Sequence, residues 1–374
     1  MHVSLITLHN VLNFGSCLQA YASQKTIEAL GHSCEIVDYW RANNTPVGRA
    51  EASFNAGRLG SFAPLWKIAP LKSIAMIPYK KRMDRRAKPF ESYCKRYLNL
   101  TRPYYSESEL EQDPPEADVY VTGSDQVWNS IWNEGFEEPY YLAWVPQRRR
   151  RVAWSASIGR EKLDDWEIEP MREALARYDA ISLRESSGVR LVRELGFPEA
   201  RLVLDPTLML DRDGWSKIAT LPQGAEGSYI LSYQLGSGEE FAAHVSGLSK
   251  RMGLPVVKLN FTGIESTGGL DVEPVPAVTD FVGLILNAAY VVTDSFHATS
   301  FCLNLGTPFT SIAPGRFSTR LSSVLELTGA EERMLGDYAD LSLVDSPIDF
   351  AKAQGRLAAK RSESLDFLKG AIDE

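Results

Sequence analysis

The sequence has four cysteines in 374 residues, Cys17, Cys34, Cys94 and Cys302, too far apart to make a CxxC pair. That excludes the zinc and redox motifs built on such pairs, and no metal site is expected. No run of about 18 apolar residues occurs, so no transmembrane helix is expected. The opening Met1-His2-Val3-Ser4 lacks a basic segment followed by an apolar one. A cytoplasmic location with reduced thiols is therefore expected. Basic residues (40) are outnumbered by acidic ones (48), for a net charge of −8, so no global field points to nucleic acid. No GxSxG, Walker A or HExxH sequence occurs, and no GxGxxG follows the first strand. A serine-hydrolase elbow, a nucleoside-triphosphate loop, a zinc-protease helix and a dinucleotide fingerprint thus lack support. No internal repeat suggests a solenoid. A hydrophobic share of 44% with 24% charged residues leaves an ordinary soluble globular chain.

What is present is a recurring layout of apolar strand, polar turn and helix. The most informative case is Ala289 to Thr299. An apolar run stops at Thr293-Asp294-Ser295, His297 follows, and Ala298 to Leu305 reads as a helix. One of only five histidines is thereby placed at a strand's carboxyl end, where parallel α/β sheets bind ligands. The helix start adds free N–H groups and partial positive charge, which suit an anion. The alternative is that His297 only caps the helix. The same layout recurs at Asp118–Thr122 before Gly123-Ser124-Asp125-Gln126-Val127-Trp128, and at Ala180–Leu183 before Arg184-Glu185-Ser186-Ser187. It also occurs at Leu202–Leu204 before Asp205, and at Val3–Thr7 before a loop running to Ser16. Ser16 and Ser186 could serve as N-caps.

The organisation predicted is two Rossmann-like, doubly wound α/β domains facing each other across a cleft. The first spans 1–208, with an irregular or helical insertion at about 41–115 that is marked by eight prolines. The second spans 209–345. Residues 346–374 form an amphipathic helix packing back on the first domain. Two local basic clusters stand out, Lys80-Lys81-Arg82 with Arg85-Arg86, and Arg148 to Arg151. The first is either a solvated helix face or a contact with an anionic polymer or a membrane surface.

Chemically, the strand ends offer an anion site, Arg184 with helix N-termini, beside an acid/base pair, Asp125 and His297. Such a set suits transfer from a phosphorylated donor to a hydroxyl. In order along the chain stand Asn13-Phe14-Gly15-Ser16-Cys17-Leu18-Gln19-Ala20, Thr122-Gly123-Ser124-Asp125-Gln126-Val127-Trp128-Asn129 and Ser182-Leu183-Arg184-Glu185. Leu204-Asp205-Pro206-Thr207 and Thr293-Asp294-Ser295-Phe296-His297-Ala298 follow. With these five motifs the chain resembles the polysaccharide pyruvyl transferases over nearly its whole length. The resemblance implies a fold like that of GT-B glycosyltransferases. It also implies transfer of a carboxyvinyl-derived group from phosphoenolpyruvate to a saccharide or lipid-linked oligosaccharide, giving a pyruvate ketal in cell-surface polysaccharide synthesis. No cofactor is implied, and a peripheral contact with the inner face of the membrane is a further expectation.

On that resemblance, His297 is expected as the acid that protonates the donor's methylene carbon, and Asp125 as a base or a group orienting hydroxyls. Arg184, Ser295, Phe296, Arg316, Arg320, Asn13 and Gly15 are expected to bind the donor. Gln126, Trp128 and Asp205 are expected to contact the acceptor. One departure is plain: the family's pattern has an Arg two residues before the His, and Ser295 stands there instead. Arg316 or Arg320 could supply the missing charge. Two other readings stay open, a nucleotide-sugar glycosyltransferase on the same fold and a non-catalytic saccharide-binding homologue.

Overall fold

The computed structural model describes residues 1–56, 69–236, 238–260, 263–268, 270, 272, 276–313 and 319–373. The first sheet contains β1 (His2–Ile6), β2 (Ser33–Tyr39), β3 (Leu100–Tyr104), β4 (Val119–Thr122), β5 (Arg150–Ala156), β6 (Ala180–Leu183) and β7 (Arg201–Leu202). All pairings are parallel, in the order β3-β2-β1-β4-β5-β6-β7. The order reverses between β1 and β4, so a crevice opens beyond the carboxyl ends of those two strands. β1, β4 and β5 are buried along nearly their whole length, as strands of a parallel sheet covered on both faces are.

The second sheet contains β8 (Ile230–Tyr233), β9 (Val256–Asn260), β10 (Gly263–Ser266), β11 (Tyr290–Thr293), β12 (Phe309–Ile312) and β13 (Met334–Leu335). Its order is β10-β9-β8-β11-β12-β13. Only β10 is antiparallel, joined to β9 as a hairpin. The strand order again reverses, between β8 and β11. The two sheets are the two doubly wound units expected.

Two short edge strands, β10 and β13, had no periodic signal, being too brief to show alternation. β3 lies inside the segment read as insertion. Its sequence Leu-Thr-Arg-Pro-Tyr includes Pro103, which is tolerated because β3 is an edge strand. The rest of the insertion is helical: α2 (Pro46–Asn55) and α3 (Ala69–Tyr97), the latter carrying Pro78 and Pro89 internally.

Helix α1 (Phe14–Ala29) is buried along most of its length and ties the two units together. Phe14 stacks on Phe281 of the second unit at 5.3 Å, and Tyr21 lies 6.0 Å from Trp215. Burying an aromatic side chain such as Phe14 contributes about 2–3 kcal/mol. The C-terminal helix Phe350–Asp373 adds a second tie. Gln354 Nε2 donates to Leu303 O at 2.6 Å near its start, and Ser364 Oγ accepts from Leu204 N at 3.0 Å further along. Near its end, Ala371 O accepts from Arg150 of β5. Among the described residues no helix is long and apolar enough to cross a membrane.

Candidate active site

The carboxyl ends of β1, β4, β6 and β11, with the loop after β7, deliver their polar groups to one point. Each arrives by a distinct local device. After β1, Asn13 is extended, and its Oδ1 accepts from the N–H groups of Gly15 (2.9 Å) and Ser16 (3.3 Å). Asn13 is therefore the N-cap of α1. Ser16, which could have capped from sequence, lies inside the helix, and its hydroxyl donates to Asp125 Oδ2. Gly15 is required by close approach: a methyl there would overlap the His297 imidazole.

After β4, Asp125 adopts φ 68°, a left-handed conformation that Asp tolerates better than most residues. This turn aims its carboxylate back at Ser16 and at Arg184, whose Nη2 lies 3.1 Å from Oδ1. After β6, Arg184 is buried with its side chain fully enclosed. Its Nη1 donates to Asp205 Oδ2 at 2.6 Å and approaches Ser124 Oγ at 3.3 Å and His297 Nε2 at 3.4 Å. Asp205 is saturated in turn, since its Oδ1 accepts from the Thr207 N–H and hydroxyl. Glu185 turns the other way and accepts the N–H groups of Ile158 (2.8 Å) and Gly159 (3.0 Å).

After β11, Ser295 caps the helix Phe296–Leu305 by accepting the Ala298 N–H at 3.3 Å. His297 is therefore not the cap. With Ala298 N and Thr299 N taken by Ser295, the N–H groups of Phe296 and His297 are the ones a helix start leaves for another acceptor. Asp294 lies aside from the cluster. Its carboxylate accepts the Leu235 and Gly236 N–H groups and so fixes the loop after β8.

The electrostatics follow from burial and pairing. Burial pushes the His297 imidazole down to about 4, outweighing the Asp205 and Asp125 carboxylates that favour its proton. His297 is thus neutral at pH 7 in this state. Burial opposes ionisation of Asp125, but Arg184, His297 and the Ser16 hydroxyl together hold it at about 2. Asp205 is also held low against burial, chiefly by Arg184 and His297. Asp125 is thus a permanently ionised, fully paired group and a weak base.

The expected donor contacts divide. Arg184, expected as an open anion hook, is instead the central cation of a buried ion cluster, with both terminal nitrogens engaged. Arg320 is more open. It is partly buried, its Nε has no hydrogen-bond partner among the described residues, and its guanidinium lies 5.7 Å from the Phe296 ring centroid. Arg184 lies 4.8 Å from the same centroid, so Phe296 takes two cation–π contacts. Burial, then repulsion from Arg184, lowers Arg320 to about 10, as expected of a cation short of counter-charge. Arg316, the other substitute proposed for the missing Arg, lies outside the described residues.

The expected acceptor contacts also change. Trp128 is 1% exposed, stacks on Tyr141 at 5.5 Å and donates its indole N–H to Tyr140 O. It packs the core behind the β4 turn. Gln126 Oε1 accepts from Asn129 Nδ2 at 2.7 Å and braces the same turn. Asp205 is 2% exposed and belongs to the ion cluster. Sequence reasoning gave no role to Ser124 and only a capping role to Ser16, although both stand inside motifs already singled out. Among the described residues no group of three or more His, Cys, Asp or Glu could hold a metal.

The family model for polysaccharide pyruvyl transferase matches residues 13–316, which include every strand-end motif above. No curated protein matches the chain. Solved structures similar to it include a Methanocaldococcus jannaschii UDP-GlcNAc 2-epimerase. That match has 14% identity, covers 92% of this chain and 91% of that one, and has a TM-score of 0.49. A Streptomyces sp. SF2575 glycosyltransferase matches at 13% identity over 100% of both chains, with a TM-score of 0.43.

Proposed function

The chain belongs to the polysaccharide pyruvyl transferase family, and from that premise we propose that it moves a pyruvyl group from phosphoenolpyruvate to two hydroxyls of a saccharide. The observation that carries this reading is the position of His297. Its ring is pressed between the start of α1 at Gly15 and the Arg184–Asp205 pair, at the open end of a helix.

The donor carries a phosphate and a carboxylate close together. Arg320 and the N–H groups of Phe296 and His297 are the groups left to hold them. Arg184 acts one step back: it fixes Asp125 and Asp205 and lends its charge to the site. His297, neutral at rest, takes the proton of the first acceptor hydroxyl. The donor's negative charge beside it raises its proton affinity, so the imidazolium survives long enough to protonate the methylene carbon. The electron pair of the enol double bond forms the new C–H bond, and the oxocarbenium-like carbon receives the first sugar oxygen. The second hydroxyl then displaces phosphate and its proton leaves with that group. Two hydroxyl protons are lost; one ends in the new methyl group and the other on phosphate. Asp125 orients the Ser16 hydroxyl and Arg184 and does not itself take a proton. This modifies the division of labour expected from the sequence.

The test is a calorimetric titration of phosphoenolpyruvate into the wild-type protein. Binding that weakens with added inorganic phosphate is expected. No heat at millimolar donor, with or without a saccharide, refutes the reading. Binding of a nucleoside diphosphate in the donor's place would favour the glycosyltransferase alternative.

A further inference from the structure

The basic cluster of α3 is not absorbed by this mechanism. Lys81, Arg82, Arg85 and Arg86 line a cavity of about 480 Å³ together with Phe14, Phe90, Asn260 and Gly263. Helical spacing explains the arrangement: Pro78, Arg82, Arg85 and Pro89 fall three or four residues apart and so share one face of α3, with Lys81 and Arg86 beside them. A face that met the second unit through ordinary packing would be apolar there. This one is cationic. It lies across an open space from the β9–β10 hairpin, with Lys81, Arg82 and Arg85 exposed to solvent.

The ion pairs that α3 makes with α2 do not reach this face. Arg49 meets Glu91 and Lys72 meets Glu51, but no described carboxylate pairs with any of the four cations. Asp84 is the one acid among residues 80–88. Arg82 also depresses the proton affinity of Arg86, after burial. Four like charges in one cavity repel one another unless an anion neutralises them. The floor is different in kind: Phe14 and Phe90 pack at 5.0 Å between ring centroids and are both buried, so the floor is closed and apolar. The size lies within the range of small-molecule sites, about 300–1,000 Å³. Phe14 precedes Gly15, so this cavity and the His297 cluster share the start of α1.

We infer that the cavity binds the diphosphate of a diphosphate-linked saccharide, with the charged groups on Lys81, Arg82, Arg85 and Arg86. The ligand is called the acceptor only on the reading proposed above; the anion site itself stands without it. One diphosphate could come from a polyprenyl carrier or from a nucleotide, and the chemistry on the cavity wall is the same for both.

The experiment titrates inorganic pyrophosphate into wild type and into an Arg82→Ala/Arg85→Ala variant, in low salt. Both arginines are exposed, so the fold is retained, and circular dichroism verifies it. Wild type is expected to bind, with affinity falling as salt rises. The variant is expected to bind at least about tenfold more weakly while its affinity for phosphoenolpyruvate is unchanged. Repeating the titration with a short prenyl diphosphate and with UDP identifies the source by whichever binds tighter. No wild-type binding, or equal binding by both proteins, overturns the inference. Displacement of pyrophosphate by phosphoenolpyruvate also overturns it, because the cavity would then be the donor's own site. Failure of phosphoenolpyruvate to bind wild type, with pyrophosphate binding intact, sinks the pyruvyl-transfer reading and leaves the anion site standing.

Discussion

The depressed proton affinity of His297 predicts an acid-sensitive stability that one substitution removes. The imidazole moves from an ordinary 6.5 to about 4. Above pH 6.5 it is neutral both folded and unfolded, and the shift contributes nothing. Between 6.5 and 4 the unfolded chain takes up a proton that the folded site refuses, so stability falls as pH falls. At about 1.4 kcal/mol per unit, the loss is about 2 kcal/mol at pH 5 and roughly 3 kcal/mol at pH 4. His297→Gln keeps a polar side chain of similar reach and has no proton to gain. The assay is urea unfolding of both proteins at intervals from pH 7.5 to 4.5, read as the difference in unfolding free energy. Glu107, raised to about 7, titrates in the same window, and the proton affinity of His9 is raised as well. Both proteins carry them, so the difference cancels their effects. The variant should be the less acid-sensitive of the two. Parallel curves would show that the ring is hydrated and titrates normally, and the neutral resting state would be lost with it.

Gly15→Ala should lower kcat/KM by about 10²-fold, since a methyl must push the His297 ring off its position and small misplacements are costly; near-normal turnover would show that the close approach is not needed. Arg184→Met should destabilise the fold by about 3–5 kcal/mol in urea unfolding, by leaving Asp125 and Asp205 buried without their cation, and Asp205→Asn in the same chain should recover part of it. Arg320→Ala should weaken phosphoenolpyruvate binding by about tenfold or more with an unchanged thermal midpoint; an unchanged affinity would remove Arg320 from the donor site.

The strand ends were legible because they combine two strong local signals, an apolar run and an abrupt polar turn. Asp125, Arg184, Asp205 and His297 could be singled out in this way, and they converge. What each does there was less legible. Arg184 looks like a free hook in sequence because its two carboxylate partners lie 59 and 21 residues away. Asn13 and Ser16 are both good caps by type, and only the backbone decides: Asn13 is extended while Ser16 is already helical. Trp128 follows a polar turn and so reads as exposed, yet Tyr140 and Tyr141 come back over it from further along the chain. The basic face of α3 was visible as a charge cluster, but its facing partner on β9–β10 comes from a distant segment that no local pattern reports.

The charge balance of the site suggests why its histidine rests neutral. Arg184 and Arg320 carry two positive charges; Asp125, Asp205 and Glu185 carry three negative ones. A neutral His297 leaves the buried cluster one charge negative, and a proton on the ring would bring it to zero, yet desolvation still keeps that proton off. A donor with phosphate and carboxylate adds more negative charge at the same place. That shifts the balance toward a protonated ring, so the acid forms when there is a substrate to receive its proton. The same donor would be repelled by Asp125 and Asp205 if the cations did not offset them, which gives the buried Arg184 a function without any direct contact. Donor affinity should therefore strengthen as pH falls from neutrality toward 4, with net proton uptake on binding, and calorimetry in two buffers of different ionisation enthalpy measures that uptake directly. Zero uptake at pH 6 would mean that the donor does not raise the proton affinity of His297, and the acceptor hydroxyl's proton would then have to reach the methylene carbon by another route.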